Sequence, residues 1–291
     1  MKRTLSALLA AALVAVSSLA PVSAAPAEGE ENYLAGKTIV FLGSSVTYGA
    51  SSGGWSMCDY LAENYDCTVV KWAVSGTTLV DNGALSYVQR LDSESAKQDA
   101  CDYFICQLST NDASQNKPLG TLSDSTDPAD FDKTTIIGAI EYIIATAKAK
   151  WDCPVAFYTG TKYDSALYQQ MVDALAEVQD KWDIGVIDLW NDAEMNAVSD
   201  SDYASYMADP IHPNRKGYEE WWGPKFAEYL LAAFTPAPVS SEAAPSSSGA
   251  AEEEGGSLPM LAVAAIAFVA TLAVAGVVAL IVTKAGGKKT Q

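Results

Sequence analysis

Short, largely apolar runs separated by helical stretches of ten residues or more constrain this sequence more than any other feature. Thr38-Ile39-Val40-Phe41-Leu42 runs without a charge into Gly43 and reads as a buried strand. Further strands are expected at residues 68–73, 103–108, 154–158 and 185–189. Between and after them, helices are expected at residues 55–64, 133–150, 164–182 and 215–234, the second of these with its apolar residues on helical spacing. Strands alternating with helices predict parallel pairing with helices on both faces. The expected fold is a single flavodoxin-like three-layer α/β/α domain over residues 32–234, with any ligand bound at the carboxyl ends of the strands.

The two ends of the 291-residue chain read as addresses. Residues 1–25 have the form of a signal peptide: Lys2 and Arg3, then an apolar stretch, then Val22-Ser23-Ala24 as a small-x-small cleavage site. Residues 260–283 carry no charge. At about 1.5 Å per residue, a helix of that length covers roughly 36 Å, enough for a hydrocarbon core of about 30 Å. A transmembrane helix is therefore expected over residues 258–283, with Lys284, Lys288 and Lys289 in a basic cytoplasmic tail at 284–291. Residues 235–257, rich in Pro, Ser, Ala, Gly and Glu and free of aromatics, read as a low-complexity stalk. These segments together predict a single-pass cell-membrane protein whose folded body is extracellular.

Charge narrows the partners. Of the 18 basic residues, five lie in the signal peptide and the tail, leaving 13 against 36 acids in the exported part. Such a surface argues against a nucleic-acid partner and favours neutral substrates. With one histidine, five cysteines, no C-x-x-C and no H-E-x-x-H, no metal site is expected, and no cofactor is implied. All five cysteines fall in the exported body, where oxidation is permitted. Cys58 with Cys67 is the first pair to expect, and Cys106 or Cys153 fits a buried free thiol.

Four loops hold the chemistry: Gly43-Ser44-Ser45-Val46-Thr47, Ser75-Gly76-Thr77-Thr78, Ser109-Thr110-Asn111-Asp112 and Asp209-Pro210-Ile211-His212-Pro213. Each taken alone has the composition of an ordinary turn or helix cap. Together they supply every part that acyl transfer requires. Ser45 needs a base, and His212, whose residue type ordinarily titrates near pH 6.5, is the only histidine. Asp209, three residues earlier, can fix its tautomer. The backbone N–H of Ser45, the backbone N–H at Gly76 and the side-chain amide of Asn111 can form an oxyanion hole.

This constellation resembles the SGNH hydrolases, the GDSL-type esterase and lipase superfamily, over about 180 residues. The resemblance implies Ser45 as nucleophile, His212 as base, Asp209 as its partner, and Gly76 and Asn111 as oxyanion donors. Two positions depart from the family pattern. Ser44 stands where the first block usually has Asp, an acid that helps to order the loop, and Ser109 stands where the third block usually has Gly. The α/β-hydrolase elbow G-x-S-x-G is ruled out by Thr47, and by Asp209 and His212 sharing one loop.

The expected activity is ester hydrolysis through an acyl-enzyme, with acetylated carbohydrate as the expected substrate. Tyr48, Trp55, Trp221 and Trp222 lie near catalytic positions and are candidates for stacking on sugar rings. A non-catalytic glycan-binding module and an acyltransferase are the alternatives on the same fold.

Overall fold

The structure, a computed structural model, describes residues 31–83 and 85–235. The expected signal peptide, all but the first residue of the stalk, the expected membrane span and the basic tail lie outside the described residues. Among the described residues, no helix is long and apolar enough to cross a membrane.

Five strands, β1 (Thr38–Gly43), β2 (Thr68–Ala73), β3 (Tyr103–Gln107), β4 (Val155–Tyr158) and β5 (Gly185–Ile187), form one parallel sheet in the order β2-β1-β3-β4-β5. The chain steps from β1 to β2 on one side and then crosses to β3 on the other. Gly43 pairs with Ala73, and Leu42 with Cys106, so the loops leaving β1, β2 and β3 emerge side by side at this reversal.

The three central strands β1, β3 and β4 are buried on both faces, which is why they read as largely apolar runs, whereas the edge strand β2 is only partly buried and accommodates Lys71. Val40, Leu42, Phe104, Cys106, Val155 and Phe157 belong to one core. It is completed by α3 (Tyr87–Ser95), α5 (Ile136–Trp151) and α6 (Ala166–Trp182), through Leu91, Ile140, Ile144 and Leu175. The alternate residues Ile39, Phe41, Tyr103, Ile105, Ala156 and Tyr158 join α2 (Met57–Tyr65) and α9 (Gly223–Phe234), through Leu61, Phe226 and Leu230. The short helices are α1 (Ser45–Tyr48), α4 (Thr110–Ser114), α7 (Asp200–Tyr206) and α8 (Arg215–Gly217).

Three of the four predicted helices begin two or three residues later than the apolar pattern suggests, and capping explains the shift. Ser56, Thr135 and Ser165 accept backbone N–H bonds from Cys58, Gly138 and Tyr168 and so define the starts of α2, α5 and α6. The helix expected over residues 215–234 is interrupted by a π turn at Tyr218–Trp222. There the Gly223 N–H bonds to Tyr218 O, five residues back, and Pro224 follows with no N–H to continue the regular ladder. Helices α3, α4 and α7 are not marked by the sequence pattern, because they are short and rich in polar residues.

The expected Cys58–Cys67 pair is absent: all five thiols are free. Cys58 is the second residue of α2 and Cys67 lies two residues beyond its end, so roughly 10 Å of helix separates them, more than the reach of a disulfide, about 7 Å between Cα atoms. The cysteines brought together are Cys101 and Cys153, just before β3 and β4, with their Sγ atoms 3.6 Å apart. Cys106 is a fully buried free thiol, as its place in β3 predicts.

Candidate active site

Ser45 is the first residue of α1, immediately beyond the end of β1. The turn that delivers it is tight: a Cβ on Gly43 would land on the Thr47 side chain and on Gln107 Oε1, so only glycine fits there. Ser45 Oγ lies 2.7 Å from His212 Nε2. On the other side of the ring, Nδ1 is 2.9 and 2.8 Å from the two carboxylate oxygens of Asp209. A carboxylate only accepts, so Nδ1 carries the ring proton and Nε2 is left to accept from Ser45. A serine hydroxyl becomes nucleophilic through this chain of hydrogen bonds.

Asp209 is held by more than the ring. Its Oδ1 accepts the N–H groups of Ile211 and His212 at 2.8 and 2.9 Å. Partial burial raises its pKa, but these backbone bonds and the imidazole outweigh that and hold the carboxyl below its usual range. The His212 carbonyl accepts from Ala208 N–H at 2.9 Å, and Met207 bridges to Pro213, which fixes the loop between α7 and α8. Tyr218 Oη, one turn further on, donates to Val46 O at 2.7 Å and ties this element to α1.

The loops after β2 and β3 face the same region. Gly76 is exposed, with φ of +81°, a left-handed conformation that disfavours any residue with a Cβ. Asn111 donates one amide hydrogen to Thr77 O at 2.9 Å, leaving its second hydrogen free to meet a ligand. The next residue, Asp112, is fully buried and accepts from the N–H groups of Leu79 and Val80 at 2.7 and 3.2 Å. Burial raises its pKa against the pull of Ser109 and of these two N–H groups. Asp112 thereby fastens the Gly76 loop to the Asn111 helix.

Residues 41–220 match the sequence profile of the GDSL-like lipase/acylhydrolase family. The chain belongs to this family. It is a serine ester hydrolase of the SGNH type. No curated protein matches the sequence significantly. Among solved structures, a Lactobacillus plantarum protein is 21% identical, with a TM-score of 0.56, over 68% of this chain and 98% of that one. A proposed GDSL-like lipase from Bacteroides ovatus is 16% identical, with a TM-score of 0.51, over 69% of this chain and 100% of that one. A proposed G-D-S-L family lipolytic protein from Desulfitobacterium hafniense is 16% identical, with a TM-score of 0.51, over 66% and 98%. At these identities the likeness shows the fold.

The two departures from the GDSL pattern have a structural resolution. Ser44 is fully buried, and its N–H donates to Gln107 Oε1 at 2.9 Å. The same oxygen accepts from Thr47 Oγ1 at 2.8 Å and Thr47 N–H at 3.3 Å. Gln107, at the end of β3, therefore orders the loop that an acid at position 44 usually orders. Sequence reasoning missed it, although a lone polar residue closing the buried run Tyr103-Phe104-Ile105-Cys106 was the available signal. Ser109 caps α4, accepting from Asp112 N–H at 3.4 Å.

Two of the four aromatic candidates are not surface platforms. Trp222 is fully buried and Trp221 nearly so. Trp222 stacks on Phe226 and Trp221 on Tyr206, because the π turn directs both rings inward. Trp55 is partly exposed, with Arg215 stacked 3.6 Å from the centre of its ring and its Nε1–H donating to Glu63. Of the four, Tyr48, three residues after Ser45, is the most exposed, at 44%, with Lys71 Nζ 6.0 Å from the centre of its ring. Cavities of about 480 and 420 Å³ lie elsewhere, lined respectively by Asp188, Lys225 and Tyr229 and by Thr121, Phe131 and Glu141.

The hydrogen-bond chain has a pH consequence. A proton on His212 Nε2 would block acceptance from Ser45, so kcat/KM should fall as pH drops. Asp209, depressed below its usual carboxylate range, should remain ionised throughout that fall. The acid limb of log kcat/KM against pH should therefore have a slope of about one. A slope near two would mean that Asp209 titrates together with the base.

Proposed function

We propose that this esterase is exported, is held at the cell membrane by its C-terminal apolar segment, and removes acetyl groups from extracellular carbohydrate. In this reading Ser45 attacks the ester carbonyl and His212 takes its proton, with Asp209 stabilising the imidazolium. The N–H groups of Ser45 and Gly76 and the amide of Asn111 receive the oxyanion, and water then resolves the acetyl-enzyme. The observation that carries the chemistry is the continuous hydrogen-bond chain from Ser45 through His212 to Asp209.

The carbohydrate assignment is supported by the acidic composition, which favours a neutral substrate, and by the exposed Tyr48 three residues after Ser45. A signal-peptide pattern at the start and an uncharged 24-residue run near the end support the location. The test is acetate release from acetylated xylan compared with p-nitrophenyl acetate, using the parent and Tyr48→Ala. An aromatic contact of about 0.5–1.5 kcal/mol predicts a rise of roughly 2- to 12-fold in KM for the polymer and no change for the small ester. No acetate from any acetylated glycan, alongside rapid p-nitrophenyl acetate turnover, would remove the carbohydrate assignment and leave the esterase intact.

A further inference from the structure

Arg90, on α3, is only 6% exposed, and its guanidinium reaches two catalytic loops at once. One terminal nitrogen donates to Gly43 O at 2.7 Å, at the entry to the Ser45 turn. The other donates to Thr77 Oγ1 at 3.0 Å, next to Gly76, and Thr77 Oγ1 in turn donates to Val74 O at 2.7 Å. The Nε–H is buried without a partner. Among the described residues, no carboxylate lies within ion-pairing distance of Arg90. The Tyr87 ring lies 5.1 Å away.

A buried cation without a counter-charge costs stability, and here that cost is spent beside two of the three proposed oxyanion donors. A hydrophobic residue would have packed this site more stably, so the charge needs a reason to be there. An oxyanion supplies one: it is a negative charge that arises beside the Ser45 and Gly76 donors in the transition state and is absent from the ground state. An interaction absent from the ground state and present in the transition state lowers the barrier.

We propose that Arg90 is a positioning residue for the oxyanion hole. It braces the Ser45 and Gly76 loops against each other and keeps a positive charge behind their backbone donors. The inference rests on the Ser45, Gly76 and Asn111 reading given above. It departs from that reading by assigning a role to a residue that does not touch substrate.

The test compares the full-length parent with Arg90→Met, Arg90→Lys and Ser45→Ala, using p-nitrophenyl acetate turnover and binding of an alkylboronic acid. In the boronate complex a bond forms from Ser45 Oγ to boron. The serine proton passes to His212, and the now tetrahedral boron carries the negative charge that mimics the oxyanion. Arg90→Met is expected to lower kcat by about 10- to 100-fold and to weaken the boronate by the same factor, leaving KM within about threefold. Arg90→Lys, which keeps the charge, should recover part of both. A merely structural role would not link kcat to boronate affinity.

If Arg90→Met does not fold, Thr77→Val removes one of the two tethers. It should then show the same linked loss at a smaller size, about 3- to 10-fold. A folded Arg90→Met or Thr77→Val with parental kcat and parental boronate affinity would overturn the proposal. A Ser45→Ala variant that retains turnover and boronate binding would overturn the site reading and, with it, this one. Loss in Ser45→Ala beside no loss in Arg90→Met sinks the Arg90 proposal alone.

Discussion

Replacing Ser45 with alanine is expected to reduce kcat for p-nitrophenyl acetate by on the order of 10⁴- to 10⁶-fold, with the melting temperature little changed. The size follows from the geometry. Ser45 Oγ heads the hydrogen-bond chain, 2.7 Å from His212 Nε2, and alanine removes this proposed nucleophile while keeping the α1 backbone. Ser45 and His212 act as a unit, so His212→Ala should cost about as much, and the double variant scarcely more than either alone. Multiplicative losses would mean that the two residues work independently, which a shared hydrogen bond does not allow. Neighbouring Ser44 provides the control. It is fully buried against Gln107, so Ser44→Ala should retain most of the activity.

The second large effect is expected at Asn111. Asn111→Ala should lower kcat by on the order of 10²- to 10³-fold with little change in KM, because the lost donor serves the tetrahedral intermediate more than the ground-state carbonyl. The amide is poised for this by its bond to Thr77 O, which fixes its plane and leaves one hydrogen uncommitted. That same bond joins the Asn111 helix to the Gly76 loop, so the variant should also melt lower, by the few degrees that one hydrogen bond of about 1 kcal/mol predicts. Steady-state kinetics checks the first part and thermal unfolding the second. A rise in KM with kcat unchanged would place Asn111 in substrate binding and outside the oxyanion hole.

Much of this architecture is legible in the amino-acid order, for a physical reason. Parallel strands buried on both faces must be apolar throughout, so Thr38–Gly43 and Tyr103–Gln107 stand out as runs, and function collects where such runs end. The pairing of Asp209 with His212 is readable because it is local, spanning three residues and flanked by prolines. What escaped detection is non-local. Gln107 reaches Ser44 and Thr47 across some sixty residues, Arg90 reaches Gly43 across 47, and Asp112 reaches Leu79 across 33. Each sits in an unremarkable local sequence, and only the packed fold gives it a partner. The tryptophans fail in the opposite direction. Trp221 and Trp222 look available because they follow His212 closely, yet the π turn places them in the core.

Covalent trapping tests most directly the proposal that Ser45 is the single activated nucleophile. The full-length protein would be incubated with a diethyl phosphate ester of p-nitrophenol, followed by intact-mass and peptide mass spectrometry. One diethylphosphoryl group per chain, mapped to Ser45 and absent from His212→Ala, is the predicted result. Label on Ser44, on a residue outside the hydrogen-bond chain, or on no residue of the folded protein would contradict it.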